Sequence, residues 1–175
     1  MAVTADESTF DAFVHARTHA LARTAYLLVG DHHRAEDLVQ TTLVKAARAW
    51  HRIQGEPEPY VRRILHHEHI SAARQRRVRE VPLGTYGDQV AARAGDPDLR
   101  LSLEAALRQL TPKQRAVVVL RFYEDLTEVQ AAEVLGIGLG TVKSNTRQAL
   151  ARLRSVAPHL AEHLSPRSEP AGGSR

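Results

Sequence analysis

Residues 127–154, TEVQAAEVLGIGLGTVKSNTRQALARLR, carry the spacing of a helix-turn-helix. Ala132 is expected where two helices cross closely. Gly136, four residues later, supplies the positive φ that the turn requires at little cost to glycine. Val142, six beyond that, is placed to plug the second helix into the first. Thr127 with Gln130 forms a capping box that opens the first helix. From Val142 onward Thr146, Ala149, Leu150, Leu153 and Val156 recur at helical spacing. The opposite face holds Lys143, Ser144, Asn145, Arg147, Gln148 and Arg152, with no acid between positions 141 and 154. A helical hairpin with a merely solvated outer face is the plainer reading. The unbroken basic and amide face favours insertion into the major groove of DNA.

Working back towards the N-terminus, a stripe of Leu99, Leu103, Ala106, Leu107 and Leu110 predicts a helix from about residue 98. Thr111-Pro112-Lys113-Gln114 is a second capping box, with proline where its missing N–H costs nothing. The AVVVLRFYEDL that follows is apolar through Phe122 and reads as the core helix of this module. Its valine run has β propensity, which the cap and the flanking helices outweigh. Between residues 81 and 97 periodicity fails, and Pro82, Gly84, Gly87, Gly95 and Pro97 mark a linker.

Before the linker lie three more helical patterns. The first, over residues 9–29, has Phe10, Phe13, Val14, Leu21, Ala25 and Leu28 on one side and ends at Gly30-Asp31. In the second, Glu36 and Asp37 are expected in the first turn, where the helix dipole favours acids. Leu38, Val39, Thr42, Leu43, Ala46 and Trp50 follow. Gly55-Glu56-Pro57-Glu58-Pro59 is a break, and the third helix starts near Tyr60, with Arg62 and Arg63 at one end and Arg74, Arg76, Arg77 and Arg79 at the other. The fold class is therefore all-α, with a three-helix module over residues 8–79, a flexible linker over 80–97 and a four-helix helix-turn-helix module over 98–156. Residues 157–175, ending in SPRSEPAGGSR, lack the apolar content to pack and are expected to be disordered.

Composition narrows the function classes. A 5% aromatic content disfavours a large β-sandwich, and the absence of cysteine excludes disulfides and thiolate metal sites. No apolar run approaches the roughly 20 residues that span a bilayer, and the start lacks a secretion signal, so a cytoplasmic protein without membrane contact is expected. A net charge of +4 leans towards anionic partners. Histidines at 15 and 19, 159 and 163, and 66, 67 and 69 raise a metal reading. HHEHI lacks the spacing of HExxH, however, and the pairs lack a third ligand and a base. With no phosphate-binding loop and no nucleophile elbow, neither an enzyme, nor a metal, nor a cofactor is expected.

Three motifs taken together resemble the extracytoplasmic-function sigma factors, short members of the sigma-70 family. Glu36-Asp37-Leu38-Val39-Gln40-Thr41-Thr42 resembles region 2.2, Tyr60-Val61-Arg62-Arg63-Ile64-Leu65 begins regions 2.3 and 2.4, and residues 110–154 resemble region 4. The resemblance implies binding to core RNA polymerase, at its clamp helices and flap, and reading of the −10 and −35 promoter elements. It makes Asp37, Leu38 and Gln40 the polymerase contacts. It assigns Arg62, Arg63, His67, Arg74, Arg76 and Arg77 to the −10 element. Lys143, Ser144, Arg147 and Gln148 would enter the groove at the −35 element, with Thr141, Arg152 and Arg154 on phosphates. It also implies an anti-sigma factor as a partner that covers both modules.

The chain departs from the family pattern twice. Gly138 stands where many relatives cap the recognition helix with serine, which implies a more pliable turn. His66-His67 replaces a frequent valine-asparagine pair, so His67 would have to hold a flipped base by stacking or by a different hydrogen-bond pattern. The rival reading is a free-standing regulator whose first module serves dimerisation or ligand sensing. The acidic DLVQ helix and the arginine-rich third helix argue against it, because a dimerisation module has no use for a second nucleic-acid surface.

Overall fold

A computed structural model describes residues 7–79 and 97–158 of the 175-residue chain. Seven α-helices are described: α1 (Glu7–Val29), α2 (His32–Ala49), α3 (Pro57–Arg79), α4 (Pro97–Arg108), α5 (Pro112–Val118), α6 (Glu128–Leu135) and α7 (Leu139–Val156). A 3₁₀ turn (Trp50–Arg52) follows α2 and a π turn (Val119–Tyr123) follows α5. Among the described residues there is no strand, and no helix is long and apolar enough to cross a membrane. Most of the linker expected at 80–97, and the tail beyond residue 158, lie outside the described residues. Ala157, expected to open the disordered tail, instead packs in the core at 3% exposure.

The first module closes around Trp50. Its indole stands edge-on to Phe10 at 5.0 Å and tilted to Phe13 at 5.2 Å, and its Nε1–H donates to Thr9 Oγ1 at 3.0 Å. Such pairs add directional stabilisation to the buried area, so the apolar start of α1 is fixed to the end of α2. Gly30, at φ 69°, turns the chain out of α1. Asp31 then caps α2 by accepting the Arg34 N–H at 2.8 Å. The cap begins α2 at His32, so Glu36 and Asp37 fall in its second turn, not the first. α3 begins at Pro57, three residues earlier than its periodicity indicated. Both prolines sit in the first turn, where an N–H has no helical partner to lose.

Both capping boxes are formed. Thr111 and Thr127 accept the N–H groups of Gln114 and Gln130, whose side chains reach back to the threonine N–H groups. Gly136 ends α6 at φ 63° and ψ 35°, and Val142 is fully buried. Ala131 of α6 is fully buried, whereas Ala132, expected at the close crossing, is only partly covered. The apolar AVVVLRFYEDL stretch does not continue as one α-helix. After Val118 the backbone widens, with the Glu124 N–H donating to Val119 O at 3.0 Å and the Leu126 N–H to Leu120 O at 3.0 Å. This extra residue per turn marks a π segment, and π segments are frequent at functional positions.

The two modules do not stand apart. Leu21, Leu28, Leu38 and Leu65 of the first module form one apolar cluster with Val117, Leu120, Ala131, Leu135 and Val142 of the second. A smaller cluster, with Leu107, Leu110, Leu150 and Leu153, packs α4 and α7 beneath α5. α3 lies against both α5 and α6. The periodicity of each helix identified the apolar faces, but it carried no information on which module would cover them.

Replacing Gly136 with alanine forces a Cβ into the left-handed region and is expected to lower stability by about 1–2 kcal/mol. Urea denaturation followed by circular dichroism measures this as a lower midpoint with an unchanged slope.

Candidate nucleic-acid interface

The outer face of α7 stays open. Thr141, Lys143, Arg147, Gln148 and Arg152 are exposed and Ser144 is half-buried, while Val142, Ala149, Leu150 and Leu153 point inward. Several of the outer groups are held in place before any ligand arrives. Asn145 Nδ2 donates to Thr141 O at 2.8 Å, Gln148 Nε2 to Ser144 Oγ at 3.2 Å, and Gln114 Nε2 to Gln148 Oε1 at 3.2 Å. Arg152 donates to Gln109 Oε1 at 3.3 Å. Lys143, 60% exposed, lies 3.8 Å from Glu128 of α6, an acid that the sequence of α7 alone does not bring into view. Gly138 occupies the N-cap of α7 and makes no side-chain hydrogen bond there. This arrangement presents cationic and amide donors on one rigid rod, suited to phosphates and base edges.

The arginine-rich α3 is arranged differently. Arg62, four-fifths buried, pairs with Glu124 at the end of the π turn and lies 3.5 Å from Glu58. Glu58 in turn receives two hydrogen bonds from Arg17, at 2.7 and 2.6 Å. His66, fully buried, donates from Nε2 to Glu124 Oε1 at 2.9 Å. His67 is exposed, but its Nε2 reaches the carbonyl of Val134 in α6 at 3.0 Å. His69 is 2% exposed and donates from Nε2 to the Pro112 carbonyl at 3.3 Å. The side of α3 that carries Arg62, His66, His67 and His69 is thus turned to the second module. Arg63 and Arg74 are exposed, Arg76 is half-buried, and the side chain of Arg77 is outside the described residues.

On α2 the candidate polymerase residues separate. Asp37 and Gln40 are exposed, whereas Leu38 is buried at 7% exposure in the shared core and offers no surface in this arrangement. Beside α3 a cleft of about 520 Å³ opens between Ile53, Pro59 and Tyr60 on one wall and Glu133 and Val134 on the other, with Arg63 at its edge.

Two residues that sequence reasoning passed over hold the modules together. Burial pushes the Glu124 carboxyl upward, but the hydrogen bond and electrostatic attraction of His66, with those of Arg62, outweigh it and leave the group below the ordinary carboxylate value. Arg115 donates to the carbonyls of Leu107 at 2.8 Å, Leu110 at 3.2 Å and Arg108 at 3.3 Å, and across the seam to Leu28 at 2.7 Å. Burial, with Arg34, Arg108 and Arg76 nearby, lowers its pKa to about 10, so it remains a cation at neutral pH. In the sequence both residues look like ordinary surface charges, because their partners in the first module lie 58 to 87 positions away. Among the described residues no three potential ligands lie together to hold a metal ion. His15 Nδ1 is instead within 2.9 Å of Asp11 O in its own helix, and His159 and His163 are outside the described residues.

Residues 13–79 match the family model "Sigma-70 region 2" and residues 106–155 match "Sigma-70, region 4". The chain is 37% identical over 148 residues to the RNA polymerase sigma-E factor of Streptomyces coelicolor, covering 83% of this chain and 84% of that protein. It is 34% identical over 166 residues to the ECF RNA polymerase sigma factor SigE of Mycolicibacterium smegmatis, covering 90% of this chain and 63% of that protein. Among solved structures, a chain from the co-crystal of the sigma factor RpoE with the anti-sigma factor NepR from Bartonella quintana superposes with a TM-score of 0.72. It is 28% identical and the match covers 86% of this chain and 97% of that one. The structure of CnrH with the cytosolic domain of CnrY shares the fold at a TM-score of 0.58 and 22% identity, over 91% of this chain and 92% of that one.

Glu124→Gln is expected to destabilise the protein at neutral pH by roughly 1–3 kcal/mol, the cost of leaving buried partners unsatisfied. Because the Glu124 pKa is depressed on folding, its contribution is complete above the ordinary carboxylate pKa and is lost as pH falls through the depressed value. Thermal melts at pH 7 and pH 3 should therefore show a large gap between natural chain and variant at pH 7 and a smaller one at pH 3.

Proposed function

The chain belongs to the extracytoplasmic-function sigma factors of the sigma-70 family, and on that footing we propose which residues do the work. A protein of this kind binds core RNA polymerase and directs promoter-specific initiation by recognising the −10 and −35 elements, a task that places it in the cytoplasm. The observation that carries the assignment is the open, acid-free face of α7 on a hairpin whose turn is fixed by Gly136.

In this reading α7 enters the major groove at the −35 element. Lys143 and Arg147 address guanine O6 and N7, Gln148 addresses adenine, and Ser144 contacts either a base or the backbone. Thr141, Arg152 and Arg154 hold phosphates and set the register of the helix. The Lys143–Glu128 distance of 3.8 Å supports a lysine that is held near its working position and exchanges that acid for DNA.

Asp37 and Gln40 face solvent on α2 and are suited to the polymerase clamp helices. Leu38 serves them indirectly, by anchoring α2 in the core. Arg63, Arg74, Arg76 and Arg77 follow the backbone of the −10 strand, while Arg62 and His67 reach it only after α6 and the π turn have moved off α3. Promoter opening thus requires the modules to separate. An anti-sigma factor that binds both modules would act by preventing that separation or by occupying the surfaces it uncovers. The RpoE–NepR complex supports such a partner for this chain.

Run-off transcription with purified core polymerase tests the reading. Promoter-specific transcripts are expected only when the protein is added, and equal output without it would reject the assignment. Lys143→Ala and Arg147→Ala should each lower promoter selectivity by roughly 5- to 150-fold, the equivalent of about 1–3 kcal/mol per lost base contact, with polymerase affinity retained. Asp37→Ala combined with Gln40→Ala should weaken binding to core enzyme in a fluorescence-anisotropy assay without altering the melting curve.

A further inference from the structure

The seam between the modules contains two buried imidazoles from α3, at positions 66 and 69, one helical turn apart. Each makes one hydrogen bond through Nε2, and among the described residues the Nδ1 atoms of both are buried without a partner. At His69 the bonded atom is a carbonyl oxygen, which fixes the neutral tautomer with its proton on Nε2. A second proton would sit on Nδ1, where no acceptor is within reach.

We propose that His69 makes the closed packing of the second module on α3 sensitive to protons, so that mild acid releases the −10 face. The functional half of this inference rests on the assignment of α3 above; the structural half, opening of the seam, does not.

The surroundings of His69 leave a proton unwelcome. Arg115 approaches from α5, and Arg76 and His66 from α3 itself. From α2, Arg34 and Asp37 line the groove that His69 borders, together with Glu68 of α3, so acids of that groove meet arginines of equal number. The acid deeper in the seam, Glu124, is engaged by His66 and Arg62. Burial first, then the charges of Arg115, His66 and Arg76, lower the His69 pKa to about 3, against the small opposing effect of its bond to Pro112. Once the second module lifts off, Pro112 and Arg115 leave with it and the imidazole meets water, where its ordinary value is near 6.5.

The sign follows from linkage. A group whose pKa is depressed in the closed state favours closure fully above its ordinary value and progressively less below it. With about 3 closed and 6.5 open, the closed-to-open ratio falls about tenfold between pH 7.5 and pH 5.5. Glu124, held below the ordinary carboxylate value, keeps its charge throughout that interval. The change is therefore not a loss of the Arg62–Glu124 pair.

The chain has no cysteine, so donor and acceptor dyes can be attached through Ala47→Cys on α2 and Ala151→Cys on α7, both exposed. Single-molecule energy transfer on the full chain then gives the open-to-closed ratio. That ratio should rise about tenfold from pH 7.5 to pH 5.5, with helical circular dichroism unchanged, and should stay level in His69→Gln, whose amide can still donate to Pro112. In Glu124→Gln, where closure is weaker, the ratio starts higher and still rises with acid, so a very small open fraction in the natural chain is no obstacle. A ratio that does not change with pH in both His69-containing chains overturns the proposal. So does an equal rise in His69→Gln, a rise that disappears in His66→Gln but not in His69→Gln, or a loss of helix in step with the rise. An unaltered pH response together with failed run-off transcription would reject the sigma assignment and leave the seam inference standing.

Discussion

The carboxylate of Glu124, inserted between Arg62 and His66, fixes how two small bundles sit on their shared apolar core. Its position depends on a backbone irregularity. The π turn after Val118 offsets the chain by one residue, so the acid that follows Tyr123 points across to α3. Buried ion pairs contribute little net stability, because desolvation offsets most of the attraction, yet removing one partner leaves an uncompensated charge. A contact of this kind defines an arrangement more than it strengthens one. The apolar residues around it supply the attraction, and the charged group selects the relative placement of the helices.

The two surfaces assigned to DNA differ in how they are kept. On α7 the donors are exposed and pre-oriented by short-range bonds among Ser144, Gln148 and Gln114. On α3 part of the corresponding surface is committed to a second set of partners within the same chain, namely Glu124, the Val134 carbonyl and the Pro112 carbonyl. A duplex-reading surface can remain open because a closed duplex asks only for a matching rigid helix. A surface for separated strands, as proposed for α3, would be needed only late in the process, and covering it until then would cost the protein little.

Local chemistry was readable in the sequence almost to the residue. Both capping boxes, the left-handed Gly136 and the inward Val142 followed from side-chain identities at fixed offsets, since each depends on neighbours within one or two turns. The family resemblance, drawn from three motifs, matched the family of the relatives. What escaped was set by distance along the chain. Periodicity cannot settle a phase difference of one residue between two adjacent alanines, and Ala131 rather than Ala132 is the fully buried one. The stripe of α2 does place Leu38 on the apolar side, where it is buried; it was the family resemblance that set it among the expected polymerase contacts. The histidines of α3 lie close together in sequence, and their spacing argues against a metal without saying what they do bind. Their partners proved to be a glutamate and two carbonyls from the other module, which no spacing within α3 could have identified.

Arg115 has a bearing on the geometry of motion. Its planar guanidinium reaches the carboxyl-terminal carbonyls of α4 and also that of Leu28, near the end of α1. One cation therefore answers the negative ends of two helices that belong to different halves of the molecule. A flexible ammonium would tolerate a range of angles, whereas a rigid fork satisfies these oxygens over a narrow one. The fork thereby favours one relative orientation of the two halves over its neighbours.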